Sequence, residues 1–159
     1  MHQMAITPLK LAMSRCFETS VRVYYEDTDA GGVVYYANYL RFMERARTEW
    51  LGELGFEIDQ LVDEQGVMFV VRSASVDYMR PARLNDRLIV SVSMQQYAGA
   101  SFSVNQAVTF ANTSERLVEG STRVTACKGS IRLACVDART HRPRRLPKEL
   151  LQELNAWTK

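Results

Sequence analysis

The stretch Val21–Gly55 reads VRVYYEDTDAGGVVYYANYLRFMERARTEWLGELG, and it divides into three parts. Val21, Val23, Tyr24 and Tyr25 are β-branched or aromatic, which suits an extended strand. Glu26-Asp27-Thr28-Asp29-Ala30-Gly31-Gly32 then supplies the carboxylates and glycines that end a strand and permit positive φ. From Tyr36 onward the apolar residues Tyr36, Tyr39, Leu40, Met43, Ala46, Trp50, Leu51 and Leu54 recur at helical spacing. Arg41, Glu44, Arg45, Thr48, Glu49 and Glu53 fall mostly on the opposite face, and Gly55 stands where a left-handed cap belongs. A strand thus leads through a carboxylate-bearing turn into the N-terminus of a long helix. That end offers unpaired N–H groups and partial positive charge, which polarise a carbonyl and stabilise a developing oxyanion. A carboxylate just upstream can act on the same carbonyl, directly or through water. The layout suits hydrolysis of an activated acyl group.

The run DTDAGGVVYYANYLRFMERART closely resembles the hot-dog-fold acyl-CoA thioesterases. It is most similar to the 4-hydroxybenzoyl-CoA thioesterase branch and the Tol-Pal-associated thioesterases. The likeness extends more loosely through FVVRSASVDYMRPARLNDRLIV and PRRLPKEL, over roughly Val21 to Leu150. The resemblance implies a catalytic aspartate at Asp29 and an oxyanion site at the amides opening the helix, near Tyr36. Tol-Pal-associated members usually carry histidine at the Tyr36 position, whereas tyrosine is found in the 4-hydroxybenzoyl branch. Tyrosine, with an ordinary pKa of about 10, cannot serve as a base near pH 7. The mechanism therefore leans on Asp29, as base or nucleophile, and on the helix end.

Each residue also has a plainer role. Aspartates before a helix most often bond nearby N–H groups, and Asp27 is assigned that structural role. Gly32 allows a turn, or lets a thioester approach the backbone. Val34 and Tyr39 are assigned to the substrate-binding wall, and Asn38 is read as a helix-start residue. Glu44 and Glu49 represent a sister branch with its carboxylate on the helix, and their arginine neighbours point instead to solvated or salt-bridged groups. Coenzyme A carries phosphates, which need arginine or lysine. Arg72 and Arg83 are the assigned contacts, with Arg80 and the cluster Arg139, Arg142, Arg144 and Arg145 as further candidates.

The 159 residues suit one domain, read as an extension over 1–19 and a single domain over 20–159. Apolar content of 47% and charged content of 24% are those of an ordinary globular chain. No apolar run approaches the roughly 18 residues of a membrane span, and the extension MHQMAITPLKLAMSRC lacks a continuous signal-like core. The net charge of +2 argues neither for nor against a nucleic-acid partner, and none is expected. Cys16, Cys127 and Cys135 lack CxxC spacing and read as free thiols of a reducing compartment, hence a cytoplasmic location. No metal site is expected, because no His/Cys cluster has ligand spacing, and no cofactor is required.

Beyond the helix, 56–65 reads as a short helical or looped connection. Val67 begins a strand continuing through Ala74, Val76 and Tyr78 to Pro81. Leu84-Asn85-Asp86 turns, Leu88 to Gln96 alternates, Ala98-Gly99-Ala100 makes a hairpin, and Phe102 to Phe110 alternates again. Asn112-Thr113-Ser114 turns, Leu117 to Val136 is extended, and Lys148 to Trp157 is a terminal helix. The pattern is α+β, a curved antiparallel sheet of about five strands wrapped around one long central helix, as the hot-dog resemblance implies. Bare sheet edges favour pairing of copies, and the resembled family forms homodimers and homotetramers with sites at the dimer interface. The expected activity is acyl-CoA hydrolysis. The alternative is a non-catalytic subunit that binds acyl groups or acyl carrier protein in an envelope or lipid-synthesis complex. A hydratase fits less well, because His2 and His141 both lie far from the turn. The basic C-terminal cluster also suits an acidic carrier protein or an anionic membrane surface.

Overall fold

The computed structural model describes residues 15–111 and 123–158. Strand β1 (Cys16–Arg22) precedes a 3-10 turn over Tyr25–Asp27, followed by helix α1 (Asn38–Glu53) and helix α2 (Ile58–Gln65). Strands β2 (Val67–Tyr78), β3 (Arg87–Ala98), β4 (Ser101–Phe110) and β5 (Thr125–Asp137) follow, and α3 (Lys148–Trp157) ends the described chain. The five strands form one antiparallel sheet in the order β1-β3-β4-β5-β2. This is the α+β composition read from the sequence.

The alternating positions decide which face is covered. Leu88, Val90, Val92 and Met94 of β3 are buried, as are Phe102, Val104, Gln106 and Val108 of β4. The apolar members of these rows pack with Ile131, Leu133 and Cys135 of β5 and with Tyr39, Phe42, Met43, Ala46 and Trp50 of α1. Trp157 of α3 meets Trp50 edge-on at 5.7 Å between ring centroids. Gly129 lies under α1: a Cβ there would come within 3.0 Å of the Ser75 carbonyl and 3.6 Å of Met43.

Two sequence expectations shift. The first strand lies earlier than Val21–Tyr25, because Cys16 to Arg22 pair with Ser93 to Arg87. Tyr24 and Tyr25 are exposed, drawn out of the strand by the 3-10 turn. β1 consequently begins inside the 1–19 stretch. Secondly, α1 begins at Asn38 rather than Tyr36. Its buried stripe runs Tyr39, Phe42, Met43, Ala46, Trp50, so Tyr36 and Leu40 lie outside it, while Phe42 and Arg47 are buried. The connection over 56–65, read as helical or looped, is the helix α2. The turn at Asn112-Thr113-Ser114, the strand start at Leu117 and most of the N-terminal extension lie outside the described residues. Gly55 (φ 92°) closes α1: its N–H donates to the Gly52 carbonyl at 2.9 Å, and Phe56 N–H donates to the Leu51 carbonyl at 2.8 Å.

Candidate active site

Two aspartates two residues apart do different work. Asp27 is 4% exposed and organises the turn. Its Oδ2 accepts the Tyr24 N–H at 2.8 Å, and its carbonyl accepts both the Tyr35 N–H at 3.0 Å and Asn38 Nδ2 at 2.8 Å. Asp29 sits at the tip of a tight hairpin and is exposed. Thr28 and Val34 form a bridge, Asp29 N–H donates to the Val33 carbonyl at 2.9 Å, and Gly32 N–H returns to the Asp29 carbonyl at 3.0 Å. Gly32 has φ 76°, a conformation that glycine adopts without steric cost. Asp29 Oδ1 accepts the Gly31 N–H at 2.8 Å, while Oδ2 accepts no hydrogen bond among the described residues. The carboxylate is thus oriented through one oxygen and available through the other.

The hairpin is fastened on both sides. Val34 N–H donates to the Ala82 carbonyl at 2.8 Å, and Val33 bridges Arg83, attaching it to the β2–β3 connection. The helix start lies at its other end. The residue before α1, Ala37, is already helical (φ −69°, ψ −21°) and provides no side-chain cap. The Tyr36 and Ala37 N–H groups donate to no atom among the described residues. Uncapped amides at a helix N-terminus are donors for a ligand oxygen.

Beside these amides lies a groove of 240 Å³ lined by Val34, Tyr36, Tyr39, Tyr78, Met79, Arg80 and Pro81. Its walls are an aromatic cluster, with Tyr78 edge-on to Tyr36 at 6.0 Å and to Tyr39 at 5.6 Å. The buried Tyr39 hydroxyl accepts the Ala82 N–H at 3.0 Å. Burial pushes the Tyr39 phenol above its ordinary pKa, against the lowering by the Ala82 N–H and with lesser raising by Cys127 and Asp86. Burial also raises Tyr78, with smaller contributions from Cys127, Tyr36 and Tyr39. Neither phenol can act as a base near neutral pH.

The chain joins a strand, an acidic hairpin and a helix beside an apolar groove. The sequence pattern of the thioesterase-like superfamily matches residues 23–154, a span that includes the hairpin, the helix and the groove. The chain belongs to this superfamily. It is 42% identical to acyl-CoA thioesterase YbgC of Haemophilus influenzae over 134 residues, 84% of this chain and 90% of that protein. It is 41% identical to acyl-CoA thioester hydrolase YbgC of Escherichia coli over 137 residues, 86% of this chain and 94% of that protein. The crystal structure of a probable thioesterase from Bartonella henselae matches the fold with TM-score 0.74 and 30% identity, covering 84% of this chain and 100% of that one.

Within the superfamily frame, the residues named from sequence separate into groups. Val34, Tyr36 and Tyr39 line one groove, and Asp29 and Gly32 occupy the hairpin whose returning strand supplies Val34. Arg83 is backbone-paired to that hairpin. Arg72 stands apart, about six strand residues or roughly 20 Å from Tyr78. It lies at the bulge of β2 with Arg132, Ser101 and Pro143, around a separate depression of 330 Å³ on the sheet face away from α1. Glu44 and Glu49 do not line the groove, and Glu44 is exposed. Sequence reasoning missed Tyr78, whose signal was its place closing the Ala74, Val76, Tyr78 alternation just before Pro81. Among the described residues, no group of three or more His, Cys, Asp or Glu is placed to hold a metal ion.

Proposed function

We propose that this protein is an acyl-CoA thioesterase, releasing a free carboxylic acid and coenzyme A. The observation that carries the reading is the pairing of an oriented, half-free carboxylate at Asp29 with uncapped amides at Tyr36 and Ala37, beside an apolar groove. The thioester carbonyl oxygen takes the Tyr36 and Ala37 amides, and the acyl group lies along Val34, Tyr36, Tyr39 and Tyr78. Asp29 takes a proton from a water as that water attacks the carbonyl carbon. The tetrahedral intermediate then collapses with cleavage of the C–S bond, and the coenzyme A thiolate leaves and is protonated. Direct attack by Asp29, giving an anhydride that water then opens, uses the same atoms. In either route the helix end stabilises the oxyanion, and such stabilisation commonly lowers the barrier to acyl transfer more than any other single effect.

Arg83 and Arg80 flank the groove and are the coenzyme A phosphate contacts in this reading. Arg72, on the other face, serves a site of this kind only if the nucleotide reaches round the β2 edge or comes from a second copy. The sheet wraps α1 as in the hot-dog fold, and copies pair as a dimer or tetramer in the cytoplasm, with no resident cofactor. The similarity to YbgC proteins supports the substrate class. No helix among the described residues is long and apolar enough to cross a membrane.

The experiment is thiol release from short-chain, long-chain and aromatic acyl-CoAs by the wild type and Asp29→Asn. Asparagine keeps the Oδ1 that accepts the Gly31 N–H, so the hairpin is retained. Turnover is expected to fall about 10²–10⁴-fold, the usual worth of a general base. A 240 Å³ groove favours short or aromatic acyl groups over long chains. Intact substrates that still bind would return the protein to the binding-subunit reading.

A further inference from the structure

We infer that Asn38 is a positioning residue for the thioesterase reaction, tying the Asp29 hairpin to the amides at the helix start. The inference rests on the proposed thioesterase reading.

Asn38 is the first residue of α1, 8% exposed. A side chain at a helix start ordinarily faces solvent or accepts a helix N–H as a cap. Asn38 does neither. Its Nδ2 donates backwards over eleven residues to the Asp27 carbonyl at 2.8 Å, in a buried contact. The same carbonyl accepts the Tyr35 N–H at 3.0 Å, and Asn38 N–H itself donates to the Tyr35 carbonyl at 2.8 Å. One buried oxygen therefore joins the residue two before Asp29 to the turn that presents the Tyr36 and Ala37 amides.

The rest of the hairpin has no comparable tie to the helix among the described residues. Its other bonds run within the turn, from Asp29 and Gly32, or to the β2–β3 connection through Val33 and Val34. Without the amide, Tyr35 N–H is the remaining link at that carbonyl, and the separation between carboxylate and oxyanion donors is less closely held. Chemistry that depends on near-attack geometry loses about 10²-fold for a displacement of about 1 Å. Substrate binding depends on the groove wall, which Asn38 does not line. The expected signature is therefore a defect in kcat with KM preserved.

The test compares Asn38→Leu and Asn38→Asp with wild type and Asp29→Asn, each checked for cooperative melting and native circular dichroism. Aspartate preserves the shape and removes the donor, so it covers the case in which leucine prevents folding. The proposal expects kcat to fall about 10–100-fold in a folded variant, with KM within about threefold of wild type. A folded variant with kcat within about twofold of wild type overturns it, as does a rise in KM at unchanged kcat. An inactive wild type instead sinks the thioesterase reading itself, and a fully active Asp29→Asn removes Asp29 as its carboxylate, so these failures are distinguishable from that of Asn38.

Discussion

The buried thiol of Cys127 shows how position alone sets a residue's chemistry. Its side chain is fully covered, and burial, with a lesser contribution from the Asp77 carboxylate, pushes its pKa from 9.0 up to about 12. Thiolate is the reactive form, so Cys127 is inert in the folded protein. The sign for stability follows from proton counting. Above pH 9 the unfolded chain releases this proton while the folded chain keeps it, so stability falls as pH rises from about 9 towards 12. Cys135, also raised by burial, acts in the same direction. Melting temperature followed from about pH 8 to 11 is expected to decline, less steeply in Cys127→Ala. An unchanged slope would remove Cys127 as a contributor. At the same scale, Asp27 and Asp29 carry the same side chain with different burial: one is sealed as a structural acceptor, the other is left with a free oxygen.

Helix α1 has two ends with opposite finishes. The C-terminal end is closed by Gly55 and Phe56 donating back to Gly52 and Leu51. Gly55→Ala places a Cβ at φ 92° and is expected to cost about 1–2 kcal/mol, lowering the melting temperature by roughly 2–4 °C per kcal/mol. Activity should be unchanged, since the proposed site lies at the other end. A loss of turnover matching the loss of stability would contradict that separation. No side chain caps the N-terminal end, and the Tyr36 and Ala37 amides just before it stay open to a ligand. Between them, Arg47 donates to Gln106 Oε1 at 2.8 Å, and Gln106 Nε2 donates to the Met43 carbonyl at 3.0 Å. This polar tie to β4 sets the rotation of the helix, and burial lowers the guanidinium's pKa, with Glu44 opposing. Residue periodicity predicted the helix. It missed the inward turn of Arg47, because an arginine in a repeating charged run carries no mark of the glutamine it will meet 59 residues later.

For the whole molecule, the sheet order places β1 and β2 at the two edges. β2 is the longer, with 12 residues, and Val71, Tyr78 and Met79 are exposed on it or just beyond it. An exposed edge of that length is ordinarily paired or covered. Light scattering at micromolar concentration is expected to give at least twice the chain's 18.1 kDa. A monomeric mass would remove the dimer from the functional reading. The groove lies near the same edge, since Tyr78 ends β2, so catalysis and association are expected to weaken together on dilution.

Local patterns determined much of this protein. Alternation identified β3, β4 and the second half of β2, the 3.6-residue period identified α1, Gly55 marked its end, and the acidic turn before it marked the proposed chemistry. Each depends on residues within a few positions of one another, so each is legible along the chain. Only the tertiary structure decided the rest. It moved β1 to Cys16–Arg22 through pairing with β3, set Tyr78 against Tyr36 and Tyr39, and put Arg72 on the face away from the groove. It also bound Asn38 to Asp27. These depend on which residues meet across long loops or around a turn, and on the face a bulge turns a side chain towards. Burial and hydrogen-bond partners arise from that meeting, which no local pattern records.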